Sequence, residues 1–368
     1  MFVQDLIILV AALAVVMLAT PLVRRAAARL DLIDQPSARK LHRDPVPLLG
    51  GVAIWLGFVV PTLLLVVLDS APFVKQFGSV IAGATLASLV GFWDDRWGMK
   101  PIVKLLGQVI AAALMIAFGT SVQFLHNDLL NVALTLVWVI GITNALNLMD
   151  NMDGLAGGVA AFASFFFFLL AAFSGQNLVA PLALALTGAC AGFLYYNFKP
   201  GHIFMGDTGS LFLGFMLAAV GIKLRFPVLH DPLTGIAVDH QSVTWMIPLL
   251  VLGLPIFDTT LVSLSRLRRG LPVTRGGRDH TSHRLVALGA SRHEAVLILY
   301  LAGCLLGVAA IAVMNLPVWE AQIMGLLVLA AAVVAFWRLE QVPLIDTNPV
   351  VAETTGGPRV RRRPQKSA

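Results

Sequence analysis

The chain has 368 residues, 58% of them hydrophobic and only 12% charged, with a mean hydropathy of +0.85 and a formal net charge of +6. That balance excludes an ordinary soluble domain, in which about a quarter of residues are charged. It gives no support to a nucleic-acid partner either, because membrane topology alone accounts for where the cations sit.

Apolar runs long enough to span a bilayer, roughly 17–25 residues, recur at 3–23, 49–68, 77–93, 101–119, 128–148, 155–173, 178–196, 208–224, 243–263, 293–314 and 320–339. The sequence therefore predicts an all-α polytopic integral membrane protein with about 11 transmembrane helices, the N-terminus outside and the C-terminus cytoplasmic. With that orientation 23 of the 26 Lys and Arg fall in cytoplasmic loops and the tail, and only Lys75, Lys223 and Arg225 fall outside. The positive-inside rule expects this asymmetry. Residues 1–340 read as one membrane domain whose cytoplasmic loops are 24–48, 94–104, 148–154, 197–207 and 264–292. Residues 341–368 read as a disordered basic cytoplasmic tail. The first span reads as an uncleaved helix, since Arg24 and Arg25 follow it while Met1 to Asp5 carry no Lys or Arg. Cys190 and Cys304 lie in separate apolar runs and read as inert packing residues.

The acidic and amide residues that stand out all map to cytoplasmic ends. Asp94-Asp95 follows Gly91-Phe-Trp, and adjacent carboxylates raise one another's proton affinity, which suits a base unless a cation such as Lys104 offsets the charge. A solvated pair at a loop end is the plainer reading. In Asn144-Ala-Leu-Asn147-Leu-Met-Asp150-Asn-Met-Asp153-Gly154 four oxygen-bearing side chains recur every third residue, so they lie near one helix face. Such residues are costly in a membrane unless they serve a site or one another, and their oxygens suit a hard cation such as Mg2+. Caps for neighbouring helices are the alternative.

Asn197-Phe-Lys-Pro-Gly-His202 leads into Phe204-Met-Gly-Asp207-Thr-Gly-Ser210, where Asp207 reads as a helix N-cap. The free N–H groups that follow suit a phosphate, or simply a well-capped helix. The loop from Ser265 to Arg292 holds seven arginines with His280 and His283, and Arg binds phosphate bidentately. Asp258 is the single acid in the ninth run. No Cys or third nearby His completes a zinc set with the two histidines.

Five ordered motifs resemble one family, the polyprenyl-phosphate N-acetylhexosamine-1-phosphate transferases, over roughly residues 1–340. They are Asp34-Gln-Pro36…Lys40-Leu-His42…Gly50-Gly51, Asp94-Asp95 through Lys104 and Gln108, the Asn144–Asp153 strip with Gly154, Phe204-Met-Gly-Asp207-x-Gly-Ser210, and the His280/His283-Arg284 loop. The resemblance implies a membrane-helix bundle in a bacterial inner membrane with its active site on the cytoplasmic face. There it would pass a sugar-1-phosphate from a UDP-N-acetylhexosamine to undecaprenyl phosphate, releasing UMP. Direct attack by the lipid phosphate is favoured over a covalent intermediate.

The implied cofactor is Mg2+, with Mn2+ as a substitute. Asp207 is the leading metal ligand, assisted by Asn147. Asp94 and Asp95 deprotonate or orient the lipid phosphate, Lys104 lies near the phosphates, and Asp150 and Asp153 shape the nucleotide and metal region. Asn144, Asn197, Lys40, His42, His280, His283 and Arg284 are substrate-binding by the same resemblance. A homodimer is compatible with it. The eleventh span and His283-Arg284-Leu285 resemble the GlcNAc-1-phosphate branch, whereas the muramyl-pentapeptide branch usually has ten spans and a His-His-His-Phe run. One departure stands out: Ser282 occupies the middle His of the His-x-His-His-Arg pattern. From another class, a transporter is the competing reading, since broken helices with polar residues also mark transport sites. The polar groups gather at one face rather than at the midplane, and no repeated halves are visible.

Overall fold

The computed structural model describes residues 2–35, 45–68, 70–198, 201–226, 229–230, 237–238, 241–274 and 276–343. Every one of the eleven apolar runs is helical there. In order they give α1 (Phe2–Arg29), a two-residue ladder of β1 (Ile33–Asp34) and β2 (Val46–Pro47), α2 (Gly50–Leu68), α3 (Ser70–Trp97), α4 (Pro101–Ala117), α5 (Asp128–Met149), α6 (Leu155–Phe173), α7 (Val179–Asn197) and α8 (Gly206–Lys223). A second short ladder, β3 (Leu229–His230) with β4 (Ala237–Val238), precedes α9 (Gln241–Thr244), α10 (Met246–Val251), α11 (Gly253–Arg268), α12 (Thr281–Ala287), α13 (Arg292–Asn315) and α14 (Val318–Glu340).

The ninth run departs from a single helix. It is divided into α9, α10 and α11, with Pro248 and Pro255 in the first turns of the latter two. Proline lacks an N–H and crowds the preceding turn, so it is tolerated at a helix start and breaks a helix interior. Within the predicted 264–292 loop, α12 adds a two-turn helix. Seven helices among the described residues are long and apolar enough to cross a membrane: the main parts of α1 and α3, and α5, α6, α7, α13 and α14. The protein is thus a multi-pass membrane protein. The described part of α2 and α4 are apolar but shorter, and α8 gives its first turn to Gly206, Asp207, Thr208 and Ser210.

The centre of the bundle is α8, buried from Thr208 to Gly221. It packs chiefly against α3 and α5, with α2 on another side. Lipid is as apolar as leucine, so close helix approach depends on small residues. Gly91 of α3 and Gly51 of α2 meet the backbone of Asp207 to Gly209, where any Cβ would collide. At the periphery α14 exposes Leu326, Leu327, Val333 and Trp337, as a lipid-facing helix does.

Candidate active site

The start of α8 is held from two sides. Gly50 and Gly51 donate their N–H groups to the carbonyls of Phe204 and Met205, both at 2.9 Å, and Phe204 N–H donates to Pro47 at 2.9 Å. On the other side Gly91 brings α3 against α8, which delivers Asp95 to the helix end. The Asp95 carboxylate accepts Asp207 N–H at 2.8 Å, Thr208 N–H at 2.9 Å and the Thr208 hydroxyl at 2.6 Å. Two sequence expectations are corrected here. Asp207 is not the N-cap, because α8 begins at Gly206 and Asp207 lies in its first turn. Of the N–H groups expected to receive a phosphate, that of Thr208 is taken, together with Asp207's, by Asp95, a side chain more than a hundred residues away in sequence, so Asp95 positions α8. Gly206, at φ 70°, leaves room for that carboxylate, which a Cβ would strike.

Immediately before it in α3, Asp94 accepts the Met99 N–H at 2.7 Å and pairs with Lys104 Nζ at 3.1 Å. Lys104, reaching in from α4, also donates to Asp207 Oδ2 at 2.5 Å and to Asn147 Oδ1 at 3.1 Å. Asn147 Nδ2 donates in turn to Asp207 Oδ1 at 2.6 Å and to Ser210 Oγ at 2.8 Å. One ammonium on α4 thus bridges two carboxylates and an amide from three other helices. The geometry gives Asn147 a job other than the expected metal ligand: it presents N–H to Asp207, and its oxygen already holds Lys104.

Beyond α5 the chain turns through Asp150 to Gly154, which has φ 78°. Asn197 braces this turn, accepting Gly154 N–H at 2.9 Å and donating to Ile203 at 3.0 Å. Asp153 accepts Gly201 N–H at 3.1 Å. Burial, followed by the negative charges of Asp207, Asp95 and Asp153, pushes Asp150 up to about 7. Asn144 lies deeper and is consumed by an amide pair with Gln108, its Nδ2 donating at 2.5 Å, and by Ile140 carbonyl at 2.8 Å.

The Arg-rich loop is tied largely to itself. Arg266 is buried and forms a bidentate pair with Asp279, both contacts at 2.8 Å, while Arg269 reaches the same carboxylate at 3.0 Å. Burial would raise Asp279, but Arg266 outweighs it and holds the carboxyl below its ordinary range. Arg284, at 0% exposure, donates to Asp279 and Leu339 carbonyls and to Ser265 Oγ, and pairs with Glu340. The expectation that Arg284 touches substrate is therefore corrected: it clamps α12 to α11 and to the end of α14. His280 is buried with its Nδ1 on Asp258 Oδ2 at 2.8 Å, and Thr281 N–H donates to Asp258 Oδ1 at 2.7 Å. His280 is likewise a packed residue rather than part of the cleft wall.

These elements enclose a cleft of about 930 Å³. Its lining is partly acidic and amide, with Asp95, Asn147, Asp150, Asn151, Asp153 and Asp207, and partly basic, with Arg24, His202, Arg278, His283, Arg292 and His293. Asp94 and Lys104 stand behind Asp207 through the contacts above. Of the expected site residues, Asn144, His280 and Arg284 are outside the lining, while Lys40 and His42 fall outside the described residues. Arg24 and His293 were missed as site residues. Arg24 passed for a topology signal, and His293 sits at a helix start with no motif around it.

A polar cleft built at one end of a bundle of membrane helices and lined by carboxylates and cations defines a membrane-embedded enzyme for an anionic substrate. Residues 77–225 match the family described as glycosyl transferase family 4. A probable undecaprenyl-phosphate N-acetylglucosaminyl 1-phosphate transferase of Bacillus subtilis is 33% identical over 320 residues, 84% of this chain and 85% of the relative. A decaprenyl-phosphate N-acetylglucosaminephosphotransferase of Mycolicibacterium smegmatis is 31% identical over 355 residues, 90% and 86% of the two chains. A phospho-N-acetylmuramoyl-pentapeptide-transferase of Desulforamulus reducens is 31% identical over 242 residues, 59% of this chain and 72% of that one. The chain belongs to glycosyl transferase family 4, within the polyprenyl-phosphate N-acetylhexosamine-1-phosphate transferases, and is a transferase.

Proposed function

We propose that this transferase moves N-acetylglucosamine-1-phosphate from a UDP-sugar to undecaprenyl phosphate at the cytoplasmic face of a bacterial plasma membrane, with Mg2+ as its cofactor. The observation that carries this reading is the cleft itself, lined by both Asp/Asn and Arg/His side chains at the end of the membrane helices. A diphosphate among metal-holding oxygens and guanidinium groups is the arrangement phosphoryl transfer needs. The concentration of Lys and Arg in the loops on this side supports a cytoplasmic site. GlcNAc-1-phosphate is favoured over a muramyl-pentapeptide donor because relatives named for the former align over more of the chain.

The donor set fits Mg2+ rather than a softer metal, since it offers carboxylate oxygens and no thiolate. Among the described residues no three His, Cys, Asp or Glu side chains converge as a preformed metal cluster. Mg2+ typically takes one or two carboxylates and fills its remaining positions with water and substrate phosphates. Asp207 would hold it, with Asp150 on the same lining. When bound, the ion supplies charge neutralisation and polarisation of the diphosphate.

The protein's own groups divide the remaining work. Asp95 fixes the α8 start and so places Asp207. Lys104 keeps Asp94 and Asp207 close despite their like charge. Asp94, paired with Lys104 behind Asp207, would act on the lipid phosphate through that ammonium rather than by direct contact. A lipid phosphate oxygen attacks the β-phosphorus of the donor, a new P–O bond forms, and the bond to the bridging oxygen breaks to leave UMP. Arg278 and Arg292 offset charge on the nucleotide. The test is UMP release by purified protein given undecaprenyl phosphate, Mg2+ and a panel of UDP-sugars. Release with UDP-GlcNAc is expected, and folded protein inert toward every UDP-N-acetylhexosamine would overturn the assignment.

A further inference from the structure

Where the family pattern has a histidine, Ser282 sits almost fully buried at the junction of α12 and the 150–154 turn. Its hydroxyl donates to Asn151 Oδ1 at 2.6 Å. The Asn151 amide is oriented by its own Nδ2, which donates to the Leu148 carbonyl at 3.1 Å, so it is the oxygen that faces Ser282. On its other side Ser282 Oγ lies 3.3 Å from His283 Nδ1. A serine hydroxyl has one proton and two lone pairs. With the proton committed to Asn151, Oγ can only accept from the histidine, which must then carry its hydrogen on Nδ1. Both Asn151 and His283 line the cleft.

We propose that Asn151 and Ser282 form a relay that fixes His283 as its Nδ1–H tautomer, so that its Nε2 serves the cleft as a hydrogen-bond acceptor. The group it recognises is then an N–H or O–H of the sugar nucleotide, such as a sugar hydroxyl, an acetamido N–H or the uracil imide, and not a phosphate oxygen. This deepens the proposed transfer reaction and rests on it for the identity of the donor. Burial, with His280 and Arg278 nearby, holds His283 down to about 4, which keeps the ring neutral in the physiological range. Asn151 and Ser282 are positioning residues here, acting through His283. The relay also gives the Asn144–Asp153 strip a direct physical link to the Arg/His loop.

The test reads the tautomer directly, by long-range 1H–15N correlation on 15N-histidine-labelled protein in detergent, with His283 assigned by its loss in His283→Gln. A protonated Nδ1 and a bare Nε2 are expected. Ser282→Ala should release the ring to the Nε2–H form that neutral histidine prefers in water. The same substitution should raise KM for UDP-GlcNAc about five- to tenfold, the worth of one hydrogen bond, with kcat within about twofold. Ser282→Thr should restore both. Should that buried site refuse threonine, Asn151→Asp retains the acceptor and Asn151→Ala removes it, giving the same contrast. A bare Nδ1 in the wild-type protein overturns the relay, and so does Ser282→Ala with tautomer and KM unchanged. Wild-type protein with the expected tautomer but no UMP release would remove the transfer reaction and leave the relay. UMP release with the opposite tautomer would do the reverse.

Discussion

Asp95 caps the helix that carries Asp207: its two carboxylate oxygens accept the N–H groups of Asp207 and Thr208 at 2.8 and 2.9 Å. A carboxylate at a helix N-terminus satisfies orphan donors and complements the helix dipole. Replacing Asp95 with Ala should cost about 1–2 kcal/mol of stability, by loss of the cap, and should abolish most turnover because Asp207 is no longer held. Asp95→Asn keeps one acceptor oxygen and should fall between the two. Thermal unfolding in detergent, run beside UMP release, checks both effects.

Lys104 bridges Asp94, Asp207 and Asn147. Lys104→Met should leave two facing carboxylates without a cation and lower kcat about 10²–10³-fold, as loss of one preorganised electrostatic group does. Lys104→Arg should restore little, since a planar fork cannot reproduce three contacts made by one compact ammonium. Steady-state kinetics at saturating Mg2+ separate the variants.

Asp150 supplies a pH dependence. In the folded, metal-free protein it holds its proton up to about 7, against an ordinary 3.8 when unfolded. Between those values the folded state binds more protons, so this group's contribution to stability is present at low pH and is lost as pH rises through 7. Asp150→Asn should therefore gain more melting temperature relative to wild type at pH 8 than at pH 5, and almost none below about pH 4. Equal shifts at both pH values would count against a raised Asp150.

Arg284 and Arg278 should separate structure from binding. Arg284→Ala removes a fully buried guanidinium from two carbonyls, Ser265 and Glu340. Breaking a buried pair in this way costs about 3–5 kcal/mol, so the variant should melt much earlier or fail to fold. Arg278→Ala, on the cleft lining, should lower the melting temperature far less than Arg284→Ala and raise KM for the UDP-sugar. Melting curves paired with KM values decide this.

The contrast between those arginines shows where sequence reading stops. Counting guanidiniums in 264–292 located the loop, but Arg266, Arg269 and Arg284 are consumed by Asp279 and by backbone carbonyls, partners that charge counts do not register. The Asn144–Asp153 strip was legible because polar residues every third position are conspicuous in an apolar run. Its division of labour was not. Asn144 is spent on Gln108 and Asn147 on Lys104 and Asp207, while Asp150 and Asp153 lie past the helix end. Apolar run length located the long helices, whereas α12 lay hidden in the 264–292 loop and the break of the ninth run depended on Pro248 and Pro255. The Asp95 cap on α8 joins residues over a hundred positions apart, and only tertiary packing at Gly91 brings them together.

The central claim is that phosphorus, and not the sugar alone, moves to the lipid. Donor UDP-GlcNAc labelled with 32P at the β-phosphate, incubated with the protein, undecaprenyl phosphate and Mg2+, tests it most directly. Label should pass into the lipid extract, with unlabelled UMP left in the aqueous phase, and EDTA should stop the transfer. Sugar reaching the lipid while the β-label stays in aqueous UDP would contradict the account.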